Sequence, residues 1–395
     1  MRKLTVSLII SCAFNFILSA QNDSLPSKWK SIGWRIGTAI GADYVFPTNP
    51  YLKGNYPGGK NINSDFSAHL RGDFSFNPKS GIGRLYPNLY QGIGIDWRSF
   101  NRPELTGRPT SLYVYQGMPF AWFGNRLSLG YEWQFGAAFG WKHYYNKESA
   151  PYNTAVSTPV TAHMNVGLKL NYLLSEHWQL NCGWSVTHFS NGNTSYPNQG
   201  INMTGLSIGV SYIHNQTRPE APTRDMVSEE LSDRRLYFDI MVYAGWRKKR
   251  LLNKGDKESV FAGDFAVNGL RSGPMWRINR FVACGGALDF RYDQSALVEP
   301  IGEYLPGESI TNFTRPSILK QMSLGIMGVA ELTMPIFAVN AALGLNALRP
   351  DGERIFYQAL TLKVSPHPHF YINIGYQLYD FQHPQNLNLG IGVRI

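Results

Sequence analysis

Long hydrophobic runs are the first thing this sequence lacks. Past the N-terminal segment no stretch of roughly 18 or more apolar residues occurs, which excludes a transmembrane helix. Charge is scarce as well: charged residues make up 16% of the chain, against roughly 25% in soluble domains, so an ordinary exported globular protein is a poor fit. Cysteine is almost absent. Of 3 in all, Cys12 falls in the leader, while Cys182 and Cys284 stand alone in strand-like runs. Neither has the spacing of a metal site, and a disulfide between them is left open. Phosphate loops are missing too, because no helix follows the Gly-Ile-Gly triplets at 81–83 and 92–94.

What is abundant points one way. Aromatics reach 14% and there are 39 glycines, a composition that, with little charge and no helical span, suits a transmembrane β-barrel. Arg2 and Lys3 precede an apolar stretch from Leu4 to Leu18, the pattern of a secretory signal peptide cut near Ala20. Ile9-Ile10-Ser11 before Cys12 is not a lipidation signal. The net charge of +10 is dispersed and carries no recognition motif, so nucleic acid is not expected as a partner. Anionic lipid head groups and a generally basic solvated surface both remain open.

Period-2 alternation recurs in about sixteen segments. In the run 127–141, Leu127, Leu129, Tyr131, Trp133 and Phe135 alternate with Ser128, Gly130, Glu132 and Gln134. One face is apolar for lipid, and the other is small or polar for a narrow lumen. The first half reads as strands at 31–45, 65–76, 89–99, 110–122, 126–141, 160–173, 177–190 and 202–214. The second reads as 236–248, 259–270, 276–293, 319–332, 336–346, 355–364, 369–381 and 386–395. Long outer loops are expected at 46–64, 142–159 and 294–318, with short periplasmic turns at 123–125, 174–177 and 365–368.

The halves resemble each other. Residues 168–191 line up with 362–383, and "LSIGVSY" (206–212) with "LGIGVRI" (389–395), which reads as a duplicated eight-strand unit. The expected organisation is a signal peptide at 1–20, a first unit at 21–213, a charged periplasmic linker at 214–235 and a second unit at 236–395. The fold class is therefore all-β: an antiparallel transmembrane barrel as two tandem eight-stranded units, or alternatively one ring of sixteen strands. The last strand, with Leu387, Leu389, Ile391, Val393 and Ile395 on one face, resembles the insertion signal of outer-membrane barrels.

One strand ends oddly. From Trp178 the even positions, through Trp184 and Val186, face lipid, and His188 and Ser190 continue that set. On the next strand Asn202 and Thr204 share parity with lipid-facing Leu206 and Ile208. His188, Ser190 and Asn202 thus converge on the outer surface of two adjacent strands, at the rim. A polar strand end at head-group level is the plain reading. A general base beside a nucleophile is the alternative.

At these residues the chain resembles the outer-membrane lipid A deacylases, the PagL-type esterases also labelled acyloxyacyl hydrolases. The resemblance rests on His188-Phe-Ser190-Asn191 followed by Pro197-Asn198-x-Gly200-x-Asn202, within about 28–215. It implies an eight-stranded barrel that removes an ester-linked acyl chain from lipid A, with Ser190 as nucleophile, His188 as general base, and Asn198 with the Gly200 N–H as oxyanion donors. The family places a glutamate where this chain has Asn202; an asparagine can orient the ring without its charge. In the second unit Asp380, Gln382 and His383 occupy the aligned positions, so no nucleophile–base pair is expected there. Lys248, Lys249 and Arg250 fall on an outer loop, where they read equally as contacts for lipid A phosphates or as a solvated loop. The expected function is an outer-membrane ester hydrolase acting on lipid A or a related acylated glycolipid, with no metal or cofactor. The alternatives are an inactive lipid-binding or structural barrel, and a porin-like channel.

Overall fold

A computed structural model describes residues 32–395 other than 57–58, 79, 145–151, 215–234, 253–257, 306–307, 351–353 and 382. The expected signal peptide, and the linker apart from its two end residues, lie outside the described residues. No described helix is long and apolar enough to cross a membrane. The architecture is two closed antiparallel β-barrels in tandem, each of eight strands. The single sixteen-stranded ring is therefore not formed.

The first barrel runs β1 (Ile32–Val45), β2 (Ser64–Phe76), β3 (Tyr90–Phe100), β4 (Gly107–Phe123), β5 (Leu127–Trp141), β6 (Val160–Leu173), β7 (Trp178–Ser190) and β8 (Ile201–His214). It closes by pairing β1 with β8, Ile40 opposite Ile208. The second is built of β9 (Leu236–Arg247), β12 (Phe265–Arg277), β13 (Val282–Asp293), β15 (Met322–Thr333), β16 (Phe337–Leu348), β17 (Phe356–His367), β18 (Phe370–Tyr379) and β19 (His383–Arg394). Its closing pair, β9 with β19, sets Val242 opposite Ile391. Three short strands, β10 (Arg250–Leu252), β11 (Glu258–Phe261) and β14 (Ser309–Ile310), make a small sheet in its outer loops.

Alternation dictates both surfaces. Outward-facing Ile36, Leu70, Ile93, Leu206 and Leu389 are exposed for contact with lipid. Inward side chains interlock: Arg98 contacts Asp65 at 2.7 Å, Asp96 at 2.9 Å and Asp43 at 3.1 Å, and Arg71 bonds Glu132 at 2.5 Å. In the second lumen Lys363 pairs with Glu331 and Asp239, and the Tyr243 and Tyr357 hydroxyls donate to Asp289. Charges taken out of water are tolerated there because each meets a partner. Packed with buried arginines and tyrosines such as Arg98, Tyr113, Tyr115 and Tyr357, these lumens do not suit the channel alternative. Cys182 and Cys284 are free and exposed, one on each barrel.

Two strand expectations need correcting. The second hairpin of the second barrel turns near 278–281, so β12 spans Phe265–Arg277 instead of 259–270 and β13 begins at Val282. Pro274 sits inside β12. Pairing with β13 lapses opposite Gly273 and Pro274 while pairing with β9 continues, so proline's missing N–H breaks one ladder only. Residues 258–261 form the separate β11. The overlong turn at 77–88 holds a short helix, Gly81–Leu85, whose first turn is capped by Ser80 accepting from the Gly83 N–H at 3.0 Å.

The barrels stand side by side and touch at both ends. At the short-turn end Leu89 packs with Met334, Phe337 and Leu362, and the Tyr86 hydroxyl donates to the Arg280 carbonyl at 3.0 Å. At the long-loop end, which faces outward in bacterial barrels, the Lys248 N–H donates to the Asn193 carbonyl at 3.1 Å. Between these contacts a groove remains.

Candidate active site

The site is built on β7, β8 and the segment 191–200 that joins them. The register puts Asn202 directly opposite His188, so side chains of equal parity meet across the pair, and His188 Nδ1 lies 2.6 Å from Asn202 Oδ1. With an amide oxygen as acceptor, Nδ1 carries the proton and Nε2 is the basic nitrogen. Ser190, the last residue of β7, is 4% exposed. Its hydroxyl is held by the Asn198 amide, Nδ2 donating to Oγ at 3.0 Å, and by the Gly192 N–H at 3.2 Å. No direct hydrogen bond between Ser190 and His188 occurs among the described residues, but both line the same groove.

Local sequence explains why 191–200 holds its shape. Asn191 Oδ1 accepts from the Asn193 N–H at 3.0 Å, a side-chain turn that asparagine favours. Its amide donates to the Ser157 hydroxyl at 3.0 Å and to the Ser195 carbonyl at 3.1 Å. Gly192 and Asn193 take φ of 63° and 62°, the left-handed region glycine and asparagine tolerate. Gly200, at φ 70°, passes so close to the imidazole that a Cβ would lie 3.0 Å from His188 Cε1. Beneath the site Phe189 is fully buried and packs edge-on against Trp141 and His163.

Four of the five expected site residues, Ser190, His188, Asn198 and Asn202, are thus brought together. Gly200 is adjacent but does not supply the expected oxyanion donor, because its N–H is already bonded to the Ala155 carbonyl at 3.0 Å. The Gly192 N–H stands at Ser190 instead. Sequence reasoning missed Gly192 and also Asn193, whose Oδ1 accepts from Asn198 Nδ2 at 3.2 Å; the Gly-Asn pair directly after Ser190-Asn191 was the available signal. Of the basic trio, Lys248 pairs with Asp264 at 2.9 Å and Lys249 donates to the Ser295 and Val298 carbonyls at 2.9 and 2.7 Å. Arg250 lies over the ring of Tyr196 at 5.2 Å, bridging the barrels.

The groove beside the site measures about 580 Å³. On one side it is lined by Trp133, Phe135, Met164, Val166 and Val186 of the first barrel, on the other by Val339, Leu360, Leu362, Ile374, Tyr376 and Leu387 of the second. The size suits a small-molecule site, and the apolar lining suits a hydrocarbon chain. At its outer end sit a hydroxyl, an imidazole with a free basic nitrogen and two N–H donors, the parts that acyl transfer requires.

Two family models match the chain. One, lipid A 3-O-deacylase (PagL), covers residues 90–211, from β3 through the site. The other, the C-terminal domain of acyloxyacyl hydrolase, covers 236–395, the whole second barrel. Residues 90–211 thus match the lipid A 3-O-deacylase family and residues 236–395 the acyloxyacyl hydrolase C-terminal domain. These matches and the barrel fold make it an outer-membrane protein with domains of ester-hydrolase families. The PagL-type match begins later than the resemblance drawn from sequence, at 90 rather than 28, yet includes every expected site residue. The second barrel, expected as a degenerate repeat, carries a family model of its own. Among solved structures, Neisserial surface protein A is similar at 10% identity over 46% of this chain and 96% of its own, with a TM-score of 0.28. The outer membrane enzyme PagL is similar at 15% identity over 44% and 97%, also at 0.28. No curated protein matches the chain.

Proposed function

We propose that this chain removes an ester-linked acyl chain from lipid A or a related acylated glycolipid of the outer leaflet, with Ser190 as nucleophile. The observation that carries the reading is a buried serine and an Asn-oriented histidine at the outer end of an apolar groove that opens toward lipid. A substrate that never leaves the membrane requires a site on the outside of a barrel.

In this mechanism Ser190 Oγ turns from Asn198 toward His188 Nε2, a tightening common when substrate fills an empty site. Nε2 takes the hydroxyl proton as Oγ attacks the ester carbonyl. Asn202 holds the ring and stabilises the imidazolium through Nδ1–H. The Asn198 amide and the Gly192 N–H, freed from Oγ, donate to the oxyanion. Collapse breaks the bond to the sugar oxygen, which takes the proton from His188. Water, deprotonated by the same nitrogen, then attacks the acyl-serine; the acyl–Oγ bond breaks, Oγ takes the proton back from His188, and the fatty acid leaves.

Mass spectrometry of lipid A from cells expressing the wild type or Ser190→Ala tests it. Loss of one acyl chain in the wild type but not in the variant is the expected result. Unchanged lipid A with both proteins folded in the outer membrane would refute it.

A further inference from the structure

The second barrel carries Asp380 and Gln382 at the positions aligned with His188 and Ser190, yet part of its outward face does not behave as lipid-facing surface. On β18 Ile372 is 52% exposed, while Ile374 and Tyr376, further along the same face, are only partly exposed. On β17 Leu360 is 45% exposed and its same-face neighbour Leu362 only 9%. The first barrel covers them: Leu362 and Ile374 pack in one cluster with Trp133 and Phe135. Nearer the outer end Tyr376 and Ser190 line the same groove. The backbone at Gly192 passes so close that a Cβ there would meet Tyr376 Cε2 at 3.5 Å and Leu387 Cβ at 2.7 Å.

Hydrocarbon does not press two apolar surfaces together, because lipid tails solvate leucine as well as another leucine does. The barrels are held by contacts at their two ends, and the space between stays open for a chain. One end of that space is the nucleophile. The other descends between two apolar walls toward the short-turn end of the barrels.

We infer that the acyl chain to be cut lies between the two barrels, with the second barrel forming the wall that selects its length. This rests on the esterase reading above and adds a specificity surface to it. A single barrel would present the same Ser190 to a disordered lipid environment, whereas the paired face of β17–β19 gives the chain a boundary. Leu362 and Ile374 lie deeper than Tyr376, so they bear on long chains before short ones.

The test uses the purified full chain in detergent micelles with para-nitrophenyl esters of increasing acyl length. Ile374→Trp narrows the groove, Leu362→Ala widens it, and Leu288→Trp adds the same bulk on the far, lipid-facing side of the second barrel. Folding is checked by the shift in electrophoretic mobility on heating. We expect Ile374→Trp to lower kcat/KM for the longest esters at least about tenfold and leave the shortest within about threefold, the scale of pocket discrimination between hydrocarbon chains. Leu362→Ala moves the preference toward longer chains, and Leu288→Trp leaves it in place. Length profiles of folded Ile374→Trp and Leu362→Ala that superimpose on the wild type overturn the inference while the esterase reading stands. Should Ile374→Trp fail to fold, Leu362→Ala alone decides. A folded wild type that cleaves neither these esters nor lipid A removes the esterase reading itself, and this inference with it.

Discussion

The two barrels differ most where their seventh and eighth strands join. In the first, β7 ends at Ser190 and β8 begins at Ile201, and the residues between fold into a buttressed loop that holds the hydroxyl. In the second, β18 ends at Tyr379 and β19 begins at His383. Asp380 and Phe381 turn the chain with φ of 51° and 57°, and Asp380 pairs with Arg354. The same strand order and the same alternation thus produce a site in one place and a tight turn in the other. A barrel wall can display a strand-end serine, but only the longer connection brings an amide and a backbone N–H to it. The second barrel contributes elsewhere, through the outward face that lines the groove.

Several substitutions break or sharpen that contrast. The largest effect is expected from Ser190→Ala or His188→Ala, each lowering kcat/KM by at least about 10³-fold, with the double variant little worse, because nucleophile and base act as a unit; steady-state ester hydrolysis measures it. Additive losses would show that the two residues do not work together. Asn198→Ala should cost about 10²–10³ in kcat, as removal of an oxyanion donor does, and a loss confined to KM would assign Asn198 to binding instead. Asn202→Ala should lower kcat about 5- to 150-fold, matching about 1–3 kcal/mol for a buried hydrogen-bonding group left alone. Asn202→Glu should raise kcat above the wild type, since a charged partner stabilises imidazolium better than an amide does. Asp380→Ala, at the equivalent turn of the second barrel, should leave activity alone and alter stability by no more than about 1 kcal/mol, as exposed ion pairs do.

Much of the fold was legible because a membrane barrel writes its faces into alternate residues. Ile208 and Ile391, matched by the repeat, stand as equivalent members of the closing pairs, opposite Ile40 and Val242. The parity that put His188, Ser190 and Asn202 on one outward surface is the parity of β7 and β8. The bounds of β12 were not legible: Pro274 lies inside the strand, where its missing N–H spoils only one of two ladders, and sequence does not say which neighbour loses a bond. Gly200 misled for a related reason: whether an N–H is free depends on what lies opposite, here the Ala155 carbonyl from a different outer loop. Tyr376 carried no local signal at all. By the repeat it stands where the first barrel has Trp184, which is 50% exposed to lipid, and nothing in its neighbours distinguishes it.

The sequence by itself determined most of the barrel strands, their lipid and lumen faces, and the meeting of histidine, serine and asparagine at one rim, because these follow from a two-residue period and pairing between neighbours. Tertiary structure alone decided which N–H groups remain for an oxyanion, that the chain closes as two rings, and that the second ring lies against the site. Those outcomes depend on contacts between residues far apart in the chain, whose partners no local periodicity encodes.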